Sequence, residues 1–247
     1  MYPASPGLRP RLVVAPATGT KQRRGELCDA VLHGVDALAL FEIKGGIIPD
    51  QHVLDPDPSI FRAEVIKRYA SPGSKGTRRK GVTQLSRAIK AVSTGEARLG
   101  GLRQGVTIYP VLITFDDLIE APGTLHIIRN AFASELSTTT DGFPIDLNGL
   151  RVAQLTIMTV SDVELLDRPV ETTELLEVLR RYTTTAAGRP FRDYLAENQH
   201  AFGIQIHGRQ VTELATAASE RARTFRSGEH SPATASGDLL RSGQEET

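Results

Sequence analysis

The segment from residue 26 to 46, ELCDAVLHGVDALALFEIKGG, constrains the fold of this chain more than any other. Apolar residues dominate on both sides of a short turn of sequence His33-Gly34-Val35-Asp36. Two apolar runs separated by a turn that contains glycine predict a β-hairpin, with strands at about 27–33 and 36–44. Gly45-Gly46 would end the second strand and would let a phosphate backbone approach, because neither residue carries a side chain.

Three charged residues interrupt this apolar hairpin. Asp29 lies thirteen residues before Glu42, and Glu42 lies two residues before Lys44. Because side chains alternate along a strand, Glu42 and Lys44 are expected on the same face. Folding about Gly34 places Asp29 opposite residues 39–42, and facing residues on paired strands have Cβ atoms roughly 5 Å apart. The hairpin therefore predicts two acids and a lysine at one place.

These residue types indicate metal-dependent chemistry. Mg²⁺ prefers oxygen ligands and keeps several waters, so Asp29, Glu42 and the backbone carbonyl of Ile43 would suffice with a substrate phosphate. The cation would polarise the phosphate and lower the pKa of a bound water. Lys44 would orient that water or offset the charge of the transition state. The pattern predicts a nuclease that uses Mg²⁺, with Mn²⁺ as a substitute.

The Asp29…Glu42-Ile43-Lys44 pattern on a hairpin resembles the PD-(D/E)XK nuclease superfamily, the restriction-endonuclease-like proteins. The resemblance covers roughly residues 25–116, and the series GELCDA, FEIKGG and KGVTQL is more similar to a bacterial subgroup than to the well-studied enzymes. It implies a mixed β-sheet flanked by helices, with metal-binding acids at Asp29 and Glu42 and a catalytic lysine at Lys44. The chain departs from the family where Cys28 replaces the usual proline. The acid that often precedes the hairpin is also missing, and Glu26 is the only candidate to replace it.

A helix is predicted over residues 82–97. Its apolar residues recur with helical spacing, at Val82, Leu85, Ile89 and Val92. In many members of the superfamily, a helix after this strand supplies a glutamine or lysine to the site, so the resemblance implies that Gln84 is catalytic. Its amide could bind a phosphate oxygen or hold the attacking water. By pattern alone, Gln84 is an ordinary exposed glutamine.

Charge is unevenly distributed along a chain whose formal net charge is zero. Residues 1–110 hold 17 Lys and Arg against 9 Asp and Glu, and the remainder holds 12 against 20. The basic excess is densest between residues 62 and 90, where it would neutralise phosphates, although a solvated basic loop is equally compatible. The candidate nucleic-acid-binding residues are Lys75, Arg78, Arg79, Lys80 and Arg87. The acidic half is a candidate docking surface for a partner protein.

The remaining sequence bounds the architecture. No run of eighteen apolar residues is present, so no membrane span is predicted, and the N-terminus lacks the apolar core of a signal peptide, which favours a cytoplasmic location. The single cysteine, Cys28, excludes an internal disulfide and is interpreted as a small buried residue. An apolar strand is predicted at 105–116, where Pro110 indicates an edge position or a bulge. The predicted class is α/β, with a helical C-terminal part.

Four segments are predicted. They are an irregular N-terminal segment at 1–24, a nuclease-like core at 25–160, a helical C-terminal extension at 161–226 and a disordered tail at 227–247. Within the extension, Ser161 is the predicted cap of the first helix.

The sequence favours a nuclease that acts on DNA in bacterial defence or DNA processing, and a homodimer would supply the two sites needed to cut both strands. The alternative is a non-catalytic module that binds nucleic acid or a partner on the same fold. A third interpretation is an unrelated enzyme with Lys44 as a base, which a separation of more than about 6 Å between Lys44 and both acids would favour.

Overall fold

The fold is described by a computed structural model, which covers the following residues: 11–14, 27–71, 81–97, 99, 104–166, 172–186, 188–199 and 201. All of them belong to the first of two compact units, Met1–Gln205. The second unit, Ile206–Thr247, contains the predicted disordered tail and lies outside the described residues.

One mixed sheet contains the seven strands found in the described part of the chain. The strands are β1 (Arg11–Val14), β2 (Ala30–His33), β3 (Ala37–Lys44), β4 (Thr107–Thr114), β5 (Ile145–Leu147), β6 (Leu150–Val152) and β7 (Thr156–Thr159). Strands β1, β2 and β3 pair antiparallel, β4 lies parallel to β3, and both β6 and β7 lie parallel to β4. Strand β5 pairs antiparallel with β6. The predicted class, a mixed sheet flanked by helices, is confirmed.

Helices flank this sheet. They are α1 (Asp50–Val53), α2 (Pro58–Tyr69), α3 (Val82–Ser93), α4 (Pro122–Glu135), α5 (Val160–Leu166), α6 (Thr172–Thr185) and α7 (Phe191–Asn198), with 3-10 turns at Asp117–Glu120 and Thr140–Gly142. Buried residues of α2, α3 and α4 form one apolar core with the side chains of β3 and β4 that share the face of Leu38 and Leu40. Helix α6 packs against β3, and α7 packs against β7.

The predicted hairpin is present, with its first strand shorter than expected. Strand β2 begins at residue 30, and Ala30 pairs with Phe41. Extending this register by one residue places Asp29 opposite Glu42, within the predicted range. Leu40, which precedes Glu42 on the same face, is fully buried. The hairpin therefore delivers the acids to the end of the sheet where β3 finishes.

The Pro110 prediction is correct in one of its two forms. Strand β4 is central rather than at an edge, because it pairs with β3 on one side and with β6 and β7 on the other. Ile108 pairs with Val152, whereas Val111 pairs with Thr156. The three residues between β6 and β7 therefore lie beside only two residues of β4, Tyr109 and Pro110. This one extra residue is the irregularity of a β-bulge.

Two expectations from the sequence need correction. The N-terminal segment is not wholly irregular, because Arg11–Val14 forms a strand that pairs with β2. The cap of α5 is Thr159 rather than Ser161: the Thr159 hydroxyl accepts from the Asp162 N–H, and the Asp162 carboxylate accepts from the Thr159 N–H. Helices α6 and α7, which lie in the predicted C-terminal extension, pack on the sheet.

Gly81 lies at the start of α3 and packs against the end of α2. Its backbone angles, φ 54° and ψ −122°, are open to glycine and strained for other residues. A Cβ atom on Gly81 would lie 2.0 Å from the carbonyl oxygen of Tyr69, which is closer than any real contact. The close packing of the two helices at this point therefore requires glycine.

We expect Gly81→Ala to lower the free energy of unfolding by at least about 3 kcal/mol, because backbone strain and steric overlap act together. Gly95→Ala is the matched control, since Gly95 also has a positive φ, of 74°, but a Cβ there meets no atom within 4 Å. That variant should cost only about 1 kcal/mol. Urea unfolding of both variants measures the difference, and equal losses would contradict the proposed contact.

Candidate active site

The carboxyl ends of three parallel strands lie side by side at one end of the sheet, here named its carboxyl edge. Lys44 of β3 is in register with Thr114 of β4, which is in register with Thr159 of β7. Because β2 runs antiparallel to β3, Asp29 at the start of β2 lies at the same edge. All three residues of the predicted triad are therefore brought to this edge.

Asp29 is fixed against β3 by two hydrogen bonds. Its Oδ2 accepts from the backbone N–H of Ile43 at 2.6 Å, and its own N–H donates to the carbonyl of Phe41 at 3.0 Å. In a strand, the N–H and C=O of one residue point to the same side. The carbonyl of Ile43 therefore points to the side of β3 on which Asp29 lies. The carboxylate and this carbonyl can face one cation.

Glu42 and Lys44 form an ion pair on one face of β3. Glu42 is fully buried, and the Lys44 ammonium contacts its Oε1. A buried carboxylate is costly unless it is paired, so Lys44 stabilises the charged form of Glu42. The separation of more than about 6 Å from both acids, which would favour an unrelated enzyme with Lys44 as a base, is therefore not observed. The predicted sharing of a face is confirmed.

Cys28 reports the proximity of both acids. It is buried, and its Sγ donates to the carbonyl of Ala30 at 3.3 Å. Burial raises the pKa of the Cys28 thiol to about 12, with further increases from the negative charges of Glu42 and then Asp29. Both carboxylates thus act on one thiol. Cys28 is a buried residue rather than a nucleophile, as the sequence predicted.

A buried acid, Asp116, holds the segment that follows Lys44. Its Oδ2 accepts from the backbone N–H of Ile48 at 2.7 Å and from the Tyr69 hydroxyl at 3.3 Å, and its Oδ1 accepts from the N–H of Leu118 at 3.1 Å. The Tyr69 hydroxyl also lies 3.1 Å from the carbonyl oxygen of Gly46. Burial raises the pKa of Tyr69 to about 12, so it stays a donor. Asp116 is therefore a structural residue of this edge.

Gln84 lies in the first turn of α3, where the Thr83 hydroxyl donates to the Ala70 carbonyl at the end of α2. Its side chain is half-buried. Arg87, one turn later, is exposed. Their proposed roles stay predictions.

Several predicted residues fall outside the described ranges. They are Glu26, Lys75, Arg78, Arg79 and Lys80.

One basic residue at this edge was not selected from the sequence. The Nε of Arg68 donates to Oε1 of Glu64 at 2.7 Å, and the ammonium of Lys67 donates to Oε2 at 2.9 Å. Glu64 is buried, and the hydrogen bond from Lys67, aided by that from Arg68, lowers its pKa. The other end of Arg68 reaches Gly46. The i, i+4 spacing of Glu64 and Arg68 signals the pair, but contact with Gly46 depends on the fold.

Comparisons with known proteins add no assignment. No protein-family model, curated protein or solved structure matches this chain. Among the residues that the structure describes, no group of three or more His, Cys, Asp and Glu side chains is placed to hold a metal ion. Within the same residues, no helix is long and apolar enough to span a membrane.

A second charged cluster lies beyond the end of β7. Arg192 of α7 contacts Glu120 at 3.4 Å and Asp162 at 3.1 Å. Burial, followed by the charge of Asp162, raises the pKa of Glu120 to about 7, although Arg192 opposes this shift. The cluster joins α7 to the carboxyl edge of the sheet.

The reactivity of Cys28 tests its environment. With a pKa of about 12, only about one thiol in 10,000 is ionised at pH 8, and burial also blocks access. We expect negligible alkylation by iodoacetamide between pH 7 and 9 in the native protein and rapid alkylation in urea. Rapid reaction of the native protein would place Cys28 outside the core.

Glu120 should make stability depend on pH. A carboxyl whose pKa rises from 4.5 to about 7 on folding favours the folded state fully below pH 4.5, and this contribution is lost as the pH rises through 7. We expect Glu120→Gln to exceed the wild type in unfolding free energy by about 1–3 kcal/mol at pH 8 and to match it near pH 4. Chemical unfolding across this range, with the exposed Glu96→Gln as control, measures the effect. Parallel curves for both variants would contradict it.

Proposed function

We propose that this protein is a divalent-metal-dependent nuclease that hydrolyses phosphodiester bonds, with DNA as its substrate. The observation that carries the proposal is the contact set at the end of β3, where the Asp29 carboxylate holds the Ile43 N–H and the buried Glu42 pairs with Lys44. Two acids and a lysine are thus fixed by the backbone register of one hairpin. We further propose that the mixed sheet and its helices form a restriction-endonuclease-like fold.

The donor set suits Mg²⁺. Asp29, Glu42 and the Ile43 carbonyl offer only oxygen atoms, and Mg²⁺ commonly takes one or two carboxylates together with waters and substrate phosphate. A magnesium ion bound there would supply Lewis-acid polarisation of the phosphate and a water of lowered pKa. Mn²⁺ accepts similar oxygen ligands and is expected to substitute.

Lys44 is placed to act on the phosphate. It is partly exposed, whereas its partner Glu42 is fully buried. An ammonium has three N–H donors, so Lys44 can keep one on Glu42 and direct another to a phosphate oxygen or to the attacking water. Its positive charge would stabilise the negative charge that develops in the transition state.

The Lys44 face of β3 is accessible at the end of the strand, because the Lys44 side chain is 23% exposed in the part of the chain that the structure describes. A phosphate of a nucleic-acid strand could therefore approach the Lys44 ammonium. Bacterial defence or DNA processing is the proposed setting, with a homodimer for double-strand cleavage and the acidic C-terminal half for a partner protein.

Cleavage of supercoiled plasmid tests the proposal. We expect nicking or linearisation in Mg²⁺ and in Mn²⁺, and none in EDTA. Lys44→Ala should slow cleavage by about 100-fold or more, because removing a charge-stabilising group at such a site has effects of this size. Asp29→Asn and Glu42→Gln should do the same, whereas Asp36→Asn, at the exposed turn of the same hairpin, should cut like the wild type.

Calorimetry with Mn²⁺ separates the alternatives. Binding that disappears in Asp29→Asn and Glu42→Gln but persists in Asp36→Asn would support the assigned ligands. Unchanged heats in the first two variants would refute them. A wild type that binds DNA in EDTA and cuts none in Mg²⁺ or Mn²⁺ would favour a non-catalytic binding module.

A further inference from the structure

Arg68 is held rigidly by an acid that is itself buried. Glu64 accepts from Arg68 Nε and from Lys67 Nζ on different oxygens, and it is only 6% exposed. A buried ion pair is weak evidence for stability, because the cost of taking the carboxylate out of water offsets the attraction. The arrangement therefore does more for the orientation of Arg68 than for the stability of α2.

The Nε anchor leaves the far end of the guanidinium directed at the end of β3. Its Nη1 would lie 3.1 Å from a Cβ atom on Gly46, whose carbonyl oxygen accepts a hydrogen bond from the Tyr69 hydroxyl. Gly46 is two positions after Lys44, so their Cα atoms are no more than about 7.6 Å apart. Arg68 and Lys44 therefore border the same short stretch of backbone.

We infer that Arg68, oriented by Glu64, binds the nucleic-acid phosphate adjacent to the one that Lys44 faces. This inference rests on the proposed nuclease function. A guanidinium binds phosphate oxygens through paired N–H donors, and anchoring it through Nε leaves its terminal nitrogens for this contact. Gly45 and Gly46 lack side chains, so a phosphate can reach both cations.

Glu64 is a positioning residue in this scheme. It does not touch the phosphate but fixes the plane of the guanidinium. Without it, Arg68 keeps its charge and loses its orientation. The roles of the two residues can therefore be separated by experiment, because charge determines the salt dependence of DNA binding while orientation affects affinity.

DNA binding in EDTA, measured by fluorescence anisotropy of a labelled duplex at several salt concentrations, tests the inference without a metal ion. Arg68→Ala should weaken binding about tenfold and reduce the slope of log affinity against log salt by about 0.9. Glu64→Gln should weaken binding with the slope unchanged. Arg151→Ala is the control, since Arg151 is an exposed arginine opposite Thr107 at the other end of β4, and it should bind like the wild type.

If Arg68→Ala does not fold, Arg68→Lys replaces it in the experiment. It retains the charge and loses the paired donors, so the slope should persist while affinity falls. Equal affinities and slopes for the Arg68 and Arg151 variants would overturn the inference. If the wild type still cleaves plasmid in that case, the nuclease proposal is retained. Arg68-dependent binding without any cleavage would retain the phosphate site and reject the nuclease. A wild type that neither binds nor cleaves would overturn both.

Discussion

Burial of the Glu42 carboxylate at the end of β3 is the constraint on which this edge of the protein depends. A charged group with no exposed surface needs a compensating cation, and Lys44 supplies one from the same strand face. Strand β3 is flanked on both sides, by β2 and by β4. The parallel partner β4 closes one side, and the antiparallel partner β2 brings Asp29 to the other. The positions of the two acids are therefore determined by the register of the sheet and not by the conformation of a loop.

The segment after Lys44 is equally determined, though by a different kind of interaction. Asp116 follows the end of β4, and its carboxylate accepts hydrogen bonds from the backbone N–H groups of Ile48 and Leu118, which lie in two different chain segments. Tyr69 adds a third donor from α2. One buried acid thus ties the exits of β3 and β4 to a helix. Rigid support of this kind is what a site needs if its groups are to be held in productive positions.

Local pattern was enough to predict much of this arrangement. The alternation of the hairpin predicted the shared face of Glu42 and Lys44. The pair Asp57-Pro58 is typical of a helix start, and Asp57 caps α2, where its carboxylate accepts from the Ser59 N–H at 2.8 Å. These features depend on neighbours in sequence. Strand β1 was missed because four residues among prolines carry little pattern, and its formation depends on pairing with β2. The position of Arg68 at Gly46 was not predictable, since it requires the packing of α2 on the sheet.

Beside Pro110, the pairing partner of β4 changes from β6 to β7. The Thr107 N–H points to β3, where it donates to Asp36, so alternation points the nitrogen of Pro110 towards β6 and β7. That nitrogen carries no hydrogen, and the neighbouring strand is interrupted where the bond would form. Strands β6 and β7 therefore pair with β4 in two separate registers. A change in the length of the β5–β6 hairpin need not shift the pairing of β7 with β4 at the carboxyl end of the sheet.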